Sequence, residues 1–346
     1  MKRIYIFLIL CAVLAVAAGV FFGRWYNDNR RPNFTERYVL LVRPDTPVQA
    51  VLDSLETGAG AIRPRSLARC FDEVDVSARM KPGRYVIEPD FTSIYVARML
   101  VNCWQTPGNM TLSGTIRTKE RLAQKIASQM MVDSASVVEA LDSAEFLAPY
   151  GFTPENIFAM ILPDTYQMYW TASVRDIFDR LKKEYDTFWN AERLEKAKSQ
   201  KLSPMQVSVL ASIVSGETLK SFEYPRIAGV YLNRYRKGMK LQADPTVAFC
   251  FNYELDRILK KHLQVDSPYN TYKYAGLPPA PINVPPKACL EAVLSPETHK
   301  YIYFCASPDF DGTHRFAVGY NDHLKNAREF QRALTKRNKE KVAANI

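Results

Sequence analysis

The chain has 346 residues, 47% hydrophobic and 24% charged, which excludes a disordered protein and leaves room for two or three domains with proper cores. Its formal net charge of +10 favours an anionic partner such as nucleic acid, a membrane surface or an acidic glycan. The basic residues are spread along the chain, apart from a cluster at Thr335–Val342, and no RNP, zinc-finger or helix-turn-helix signature accompanies them, which argues against nucleic acid.

Lys2 and Arg3 precede an uncharged run from Ile4 to Phe22, ended by Gly23-Arg24. The run is long enough to cross a bilayer. A cleaved signal peptide is the rival, with small residues at Ala15, Ala17 and Ala18, but the apolar run continues through Val20-Phe21-Phe22 beyond any such cleavage site. A retained anchor over 1–23 is therefore expected. Arg24, Arg30, Arg31 and Arg37 weaken the charge-asymmetry argument for orientation, yet the very short N-terminal tail makes an inside N-terminus the simplest choice. The bulk of the chain is then extracytoplasmic, with 24–37 as a polar juxtamembrane linker. Of the six cysteines, Cys11 lies inside the span, and no C-x-x-C occurs, so buried free thiols are expected.

Tyr38–Val42 reads as a strand, Val48, Val51, Leu52 and Leu55 as one face of a helix, Ser66–Phe71 as a second helix, Lys81–Ile87 as a turn into a strand and Thr92–Val101 as a further helix. A related strand-then-helix pattern returns at Met110–Ile116 and Thr118–Ile126. From Asp133 to Ser199 the spacing is mostly helical, interrupted at Leu162-Pro163-Asp164-Thr165-Tyr166. Leu241–Phe251 and Gly276–Pro286 carry little regular signal. Tyr301–Ala306 and His314–Val318 read as a hairpin turned at Asp309-Phe310-Asp311-Gly312, and Asp322–Arg337 as a closing amphipathic helix. Helices first and a hairpin later predict an α+β fold.

The segment beginning Ser203-Pro204-Met205-Gln206 has every mark of a helix start: a Ser N-cap, Pro at the first position and a Ser-x-x-Gln capping box. Val207, Leu210, Ala211 and Val214 form an apolar stripe, and Glu217 falls at its edge near the helix C-terminus. Partial desolvation and the negative end of the helix dipole would both raise its pKa. A carboxylic acid kept protonated near neutrality is what general-acid cleavage of a glycosidic bond requires. On that pattern alone a helix-end Glu reaching for water is the simpler reading. Three loop clusters rich in amide, hydroxyl, aromatic and proline residues follow: Lys240–Thr246, Ser267–Tyr272 with Gly276–Asn283, and His314-Arg315-Phe316. Such loops suit sugar recognition, since hydroxyls need polar partners and sugar faces need rings. There is no G-x-S-x-G elbow, no phosphate-binding G-x-x-x-x-G-K loop, no H-E-x-x-H and no zinc-like ligand spacing.

These residues together resemble the catalytic domain of the MltG (YceG-like) endolytic murein transglycosylases. The likeness rests on Ala211-Ser212-Ile213-Val214-x-x-Glu217-Thr218, Tyr231-Leu232-Asn233-Arg234, Gly238-Met239-x-Leu241-Gln242-x-Asp244-Pro245-Thr246, Tyr269-Asn270-Thr271-Tyr272, Gly276-Leu277-Pro278-Pro279 and His314-x-Phe316, in the family's order. Pro163-Asp164-Thr165 matches a further motif. Where family members often carry Glu, this chain has Ser215, which leaves Glu217 as the essential acid. The resemblance implies a single membrane helix, LysM-like β-α modules over 38–132 and a mixed helical and hairpin catalytic domain over 133–346. It implies cleavage of MurNAc-GlcNAc β-1,4 bonds within peptidoglycan strands, giving 1,6-anhydro ends, with Glu217 as acid and then base. Asn233, Gln242, Asp244, Thr246, Tyr269, Asn270, Tyr272 and His314 are the expected substrate contacts. No metal or organic cofactor is implied, and peptidoglycan synthases are expected as partners at the inner membrane. Asp244 is either a turn residue or an assistant to Glu217. A muramidase using Asp244 as nucleophile or base, and a non-enzymatic wall-binding scaffold, are the alternatives.

Overall fold

A computed structural model describes residues 2–344, and the chain divides into two compact units. The first comprises the chain up to Met110 with Gln129–Val132 and Tyr166–Ser173, and the second holds Thr111–Ser128, Asp133–Thr165 and everything from Val174 onward.

In the first unit, helix α1 (Lys2–Asn29) carries an apolar stretch that is exposed along its length and is long and apolar enough to cross a membrane. No linker begins at Arg24, because the helix continues to Asn29 and its end is tied down. Asp28 is buried, and its carboxylate accepts from Ser66 Oγ and from Arg69 Nη2 at 2.6 Å. Just beyond, Asn33 Nδ2 donates to Ser93 Oγ at 2.9 Å, while Asn33 Oδ1 accepts from Arg63 N at 2.8 Å. Buried polar groups need such partners, and these supply them from three chain segments.

Strand β1 (Tyr38–Val42) follows, then helices α2 (Val48–Thr57), α3 (Pro64–Glu73) and the short α4 (Val76–Arg79), strand β2 (Gly83–Ile87) and helix α5 (Ser93–Val101). β1 and β2 pair antiparallel, Tyr38 opposite Ile87 and Val42 opposite Gly83. Alternation turns Leu40 and Val42 inward, where they pack with Val51, Leu55, Leu67, Phe71, Tyr85 and Leu100. Strand β3 (Gly108–Thr111) ends this stretch.

Helices α6 (Lys119–Ala127), α7 (Ser134–Asp142) and α8 (Ala144–Leu147) come next. Thr118, Asp133 and Ser143 cap them, each side chain accepting a backbone N–H of the first turn. The break expected at Leu162–Tyr166 is itself a strand, β4 (Thr165–Met168), which pairs with β3. Thr111–Ser128 joins the second unit ahead of the boundary expected at 132/133. Within that unit Val284 N donates to Ile116 O at 2.9 Å, and Arg117 lies over the Tyr253 ring.

The core of the second unit forms around α9 (Val174–Phe188), α10 (Ala191–Ser199), α11 (Pro204–Glu217), α12 (Tyr224–Arg236), α13 (Asp244–Cys250) and α14 (Lys287–Leu294). The capping box at Ser203 and Gln206 is formed as the sequence predicts. The stripe, however, is not the whole story of α11. Every residue from Val207 to Val214 is buried, Ser208 and Ser212 included, so α11 is a core helix enclosed on all sides. Ser212 Oγ donates to Val209 O and accepts from Ile282 N, which is how a hydroxyl is accommodated there. Helix α13 lies in the stretch Leu241–Phe251, where the sequence carries little regular signal, and α14 follows directly on the other such stretch, Gly276–Pro286. Strands β5 (Tyr303–Ala306) and β6 (His314–Ala317) form the expected hairpin, Phe304 opposite Phe316 and Ala306 opposite His314, and α15 (Tyr320–Ala344) closes the chain.

Candidate active site

Glu217 is the last residue of α11, where the chain leaves the core and reaches a cleft. It is half-buried, and Oε1 accepts a hydrogen bond from the buried Tyr231 hydroxyl on α12. Burial pushes the Glu217 carboxyl up to about 7, the Tyr231 hydrogen bond opposes this, and the nearby Asp244 charge adds to it. Burial thus favours its protonated form relative to an ordinary carboxyl. The reciprocal effect raises the Tyr231 hydroxyl, chiefly through burial, so it stays a donor.

Asp244 opens α13 but caps nothing: the N-cap is Ala243, and Asp244 Oδ1 instead accepts from Tyr272 Oη at 2.5 Å. The turn role weighed from sequence is thus filled by other atoms. Ala243 N donates to Thr271 Oγ1 at 2.9 Å, and Thr246 Oγ1 meets Thr271 Oγ1 at 2.8 Å. The close approach of α11 and α13 has a plain steric cause. Gly216 has no side chain, and a Cβ there would lie 2.6 Å from Pro245 Cβ.

The cleft, of about 440 Å³, is lined by Glu217, Tyr231, Gln242, Asp244, Tyr272 and His314, with Arg234, Tyr303, Phe304, Tyr320 and His323 among the remaining walls. A second cavity of about 240 Å³ is bounded by Arg117, Tyr253, Ile258 and Asn283, and by Glu217 and Asp244 themselves. The two carboxyl groups stand between the two spaces.

Supporting contacts hold these walls. Arg234 spans three segments: Nε donates to Lys240 O at 3.0 Å, Nη1 to Ile302 O at 3.1 Å and Nη2 to Gln242 Oε1. Gln242 is held in left-handed backbone (φ 52°), a strained conformation for a non-glycine residue at the cleft edge. The buried Glu223 carboxylate accepts from His314 N and Nδ1, both at 2.9 Å, and from Thr218 Oγ1 at 3.4 Å. It joins the loop after Glu217 to β6, and with Nδ1 engaged the His314 Nε2 remains the ring's other polar atom.

The structure thus brings Gln242, Asp244, Tyr272 and His314 together with Glu217. It does not bring the other expected contacts there. Asn233 Nδ2 donates to His299 O and Tyr301 O, away from Glu217. Asn270 is fully buried, its Nδ2 donating to Leu263 O and Val265 O, and it shapes the loop that presents Tyr272. Thr246 is likewise buried. Tyr269 lines a third cavity and packs on Phe249 with ring centroids 4.5 Å apart. Sequence reasoning missed Tyr231, Arg234, Glu223 and His323 as site residues. Tyr231 and Arg234 lay inside a recognised motif, so their type and position were available. For Glu223 and His323 no local pattern existed. His323 stacks on Tyr303, burial lowers its pKa, and its buried Nδ1 has no hydrogen-bond partner among the described residues. Among those residues no three His, Cys, Asp or Glu side chains converge to hold a metal ion.

A carboxyl whose pKa is raised toward neutrality, facing two polar cavities lined in part by aromatic rings, has the makings of a proton-transfer site. The chain belongs to the YceG-like family, whose sequence model matches residues 40–329. It is 37% identical over 134 residues to the endolytic murein transglycosylase of Bacillus subtilis strain 168, covering 39% of this chain and 37% of that one. It is 24% identical over 222 residues to the endolytic murein transglycosylase of Streptococcus pneumoniae D39, covering 61% of this chain and 39% of the relative. The matches thus span well under half the length of these curated relatives. The crystal structure of a yceG-like protein from Listeria monocytogenes superposes with a TM-score of 0.57 at 25% identity, covering 84% of this chain and 98% of that one.

Proposed function

We propose that this protein is a membrane-anchored endolytic lytic transglycosylase that cleaves MurNAc-GlcNAc β-1,4 bonds within peptidoglycan strands. The observation that carries the reading is Glu217, a cleft-facing carboxyl pushed up to about 7 by burial. The names of the curated relatives and the family match support the substrate class.

Glu217, protonated, donates its proton to the glycosidic oxygen as the C1–O bond breaks, and the GlcNAc hydroxyl leaves. The carboxylate so formed takes the proton from the C6 hydroxyl of MurNAc while that oxygen bonds to C1. The product is a 1,6-anhydro end, no water is consumed, and Glu217 is protonated again. One carboxyl group therefore suffices where hydrolases use two. Tyr231 holds the acid in place, and its hydrogen bond, which favours the anion, eases the proton's departure. Gln242, Tyr272 and His314 are the polar and aromatic contacts for the sugars in the larger cavity. The helix α1 serves as the inner-membrane anchor, with the rest of the chain on the extracytoplasmic side. The antiparallel β1–β2 pair, with α2, α3 and the short α4 between its strands, supports a LysM-like reading of the first unit, with glycan binding as its role.

The position of Asp244 beside Glu217 favours one second reading, a muramidase in which Asp244 activates water or attacks C1. Product mass decides between them. Mass spectrometry of glycan strands digested by the wild-type protein is expected to show anhydro ends, each lighter by one water than a hydrolysed end, and Glu217→Gln is expected to release none. Hydrated ends from the wild type, or undiminished cleavage by Glu217→Gln, would sink the main reading.

A further inference from the structure

Beyond the small cavity beside Glu217 lies a third, of about 610 Å³, and the two share Arg117 and Tyr253 as walls. The third cavity therefore adjoins the one that Glu217 bounds. Its size suits a ligand of several residues. Its chemistry differs from that of the cleft. Three aromatic rings make one wall: Tyr253 and Phe249 with centroids 6.2 Å apart, then Phe249 and Tyr269 at 4.5 Å. Arg117 stands over the Tyr253 ring at 4.8 Å, at the end nearest Glu217, and has no carboxylate partner among the described residues. Glu155 stands at the Tyr269 end, where its charge adds to the burial that raises the tyrosine hydroxyl. The Glu155 carboxylate accepts from Thr153 Oγ1 at 2.7 Å, which holds it ionised, and Glu120 and Glu254 add negative charge to the same walls. Lys119 also lines the space but is committed to Asp142.

Neutral N-acetylated sugars do not call for such a lining. A cation at the near end and carboxylates farther out fit a chain with the opposite order of charges. We propose that this cavity receives the peptide branch of the glycan strand, with a stem carboxylate at Arg117, the peptide backbone along the aromatic wall and a diamino acid's free amine at Glu155. The proposal rests on the reading that Glu217 cleaves peptidoglycan, and it makes the enzyme selective for strands that still bear their stems.

The test compares kcat/KM of the full-length protein on uncross-linked strands carrying tetrapeptide stems and on the same strands stripped by an amidase. Wild type is expected to prefer the stem-bearing strands about tenfold, mainly through KM. Glu155→Gln, at an exposed position with no structural burden beyond Thr153, is expected to shrink that ratio at least fivefold, and acetylation of the stem amine should shrink it on the wild type as well. Equal rates on both substrates, or an unchanged ratio in Glu155→Gln, would overturn the peptide site while leaving glycan cleavage standing. Failure to cleave either substrate would count against the function reading alone. In that case calorimetric titration of the free tetrapeptide decides: binding weakened by Glu155→Gln supports the cavity assignment, and no binding refutes it.

Discussion

Two neighbours pull the Glu217 proton in opposite directions, and this can be read out one residue at a time. Burial sets the level near 7, the Tyr231 hydroxyl favours the anion and the Asp244 charge favours the protonated acid. Cleavage needs the protonated form first, so the wild-type rate should hold below pH 7 and fall about tenfold per pH unit above it. Tyr231→Phe removes the donor and should move this alkaline limb to higher pH, with a lower maximum because the carboxyl loses its orientation. Asp244→Asn keeps the shape, removes the charge and should move the limb to lower pH. Rate profiles of both variants shifting the same way would contradict the assignment. The same carboxyl links stability to pH. Its folded pKa, about 7, lies above the ordinary 4.5, so the folded state holds the proton more tightly. The associated stability is fully present below pH 4.5 and is lost as pH rises through 7, by as much as about 3 kcal/mol. Urea denaturation of wild type should therefore show a decline over that window that Glu217→Gln lacks.

At the scale of elements, the site depends on how closely α11 and α13 approach, and Gly216 sets that distance. Adding one methyl there forces a clash with Pro245, a ring fixed at the start of α13. Gly216→Ala should cost about 1–3 kcal/mol of stability and reduce cleavage more than tenfold, since the helix end carrying Glu217 must shift. Thermal melts and rates on glycan strands check both, and full activity in this variant would show that the packing is looser than described. This contact also marks the limit of what the sequence discloses. The capped helices were legible because Thr118, Asp133 and Ser203 advertise their starts locally, and the β5–β6 hairpin because alternation and an Asp-Gly turn are local too. Helix α13 was hidden: it spans only Asp244–Cys250, starts at Asp-Pro, which also reads as a turn, and is too short to show a period. Helix α14 is short as well, follows two prolines and is buried on most of its surface. In the site, the helix pattern gave Glu217 its place at a helix end, but only the resemblance singled it out as an acid. The pairing with Tyr231 and Asp244 joins separate elements, and the burial of Asn270 and Thr246 depends on backbone partners that no motif names. The polar loop residues were read as one group of substrate contacts, but polar chemistry serves loop architecture and substrate binding alike, and several of them are buried in the loops themselves.

For the molecule as a whole, the proposed function makes the place of Glu217 decide where along a strand the cut falls. A terminal-acting enzyme needs a wall that stops the strand one or two sugars past the acid. Here the acid lies between a cavity of about 440 Å³ and one of about 240 Å³. On the proposed function, a strand extends on both sides of the scissile bond and its ends need not be recognised. The end of α1 is fixed through Asp28 to α3, so if α1 is the proposed anchor, the first unit follows its orientation and does not swing on a loose tether. On the proposed anchor reading, the protein meets strands near the membrane, where long internal stretches outnumber ends. Strands of uniform length, labelled at one end and chemically blocked at the other, test this directly. Early products should be spread over many lengths, and blocking the ends should leave the rate within about twofold. Products consisting of single disaccharides from the first minutes, or a rate that falls in proportion to the blocked ends, would mean that a terminus is required and that the second cavity does not carry the strand.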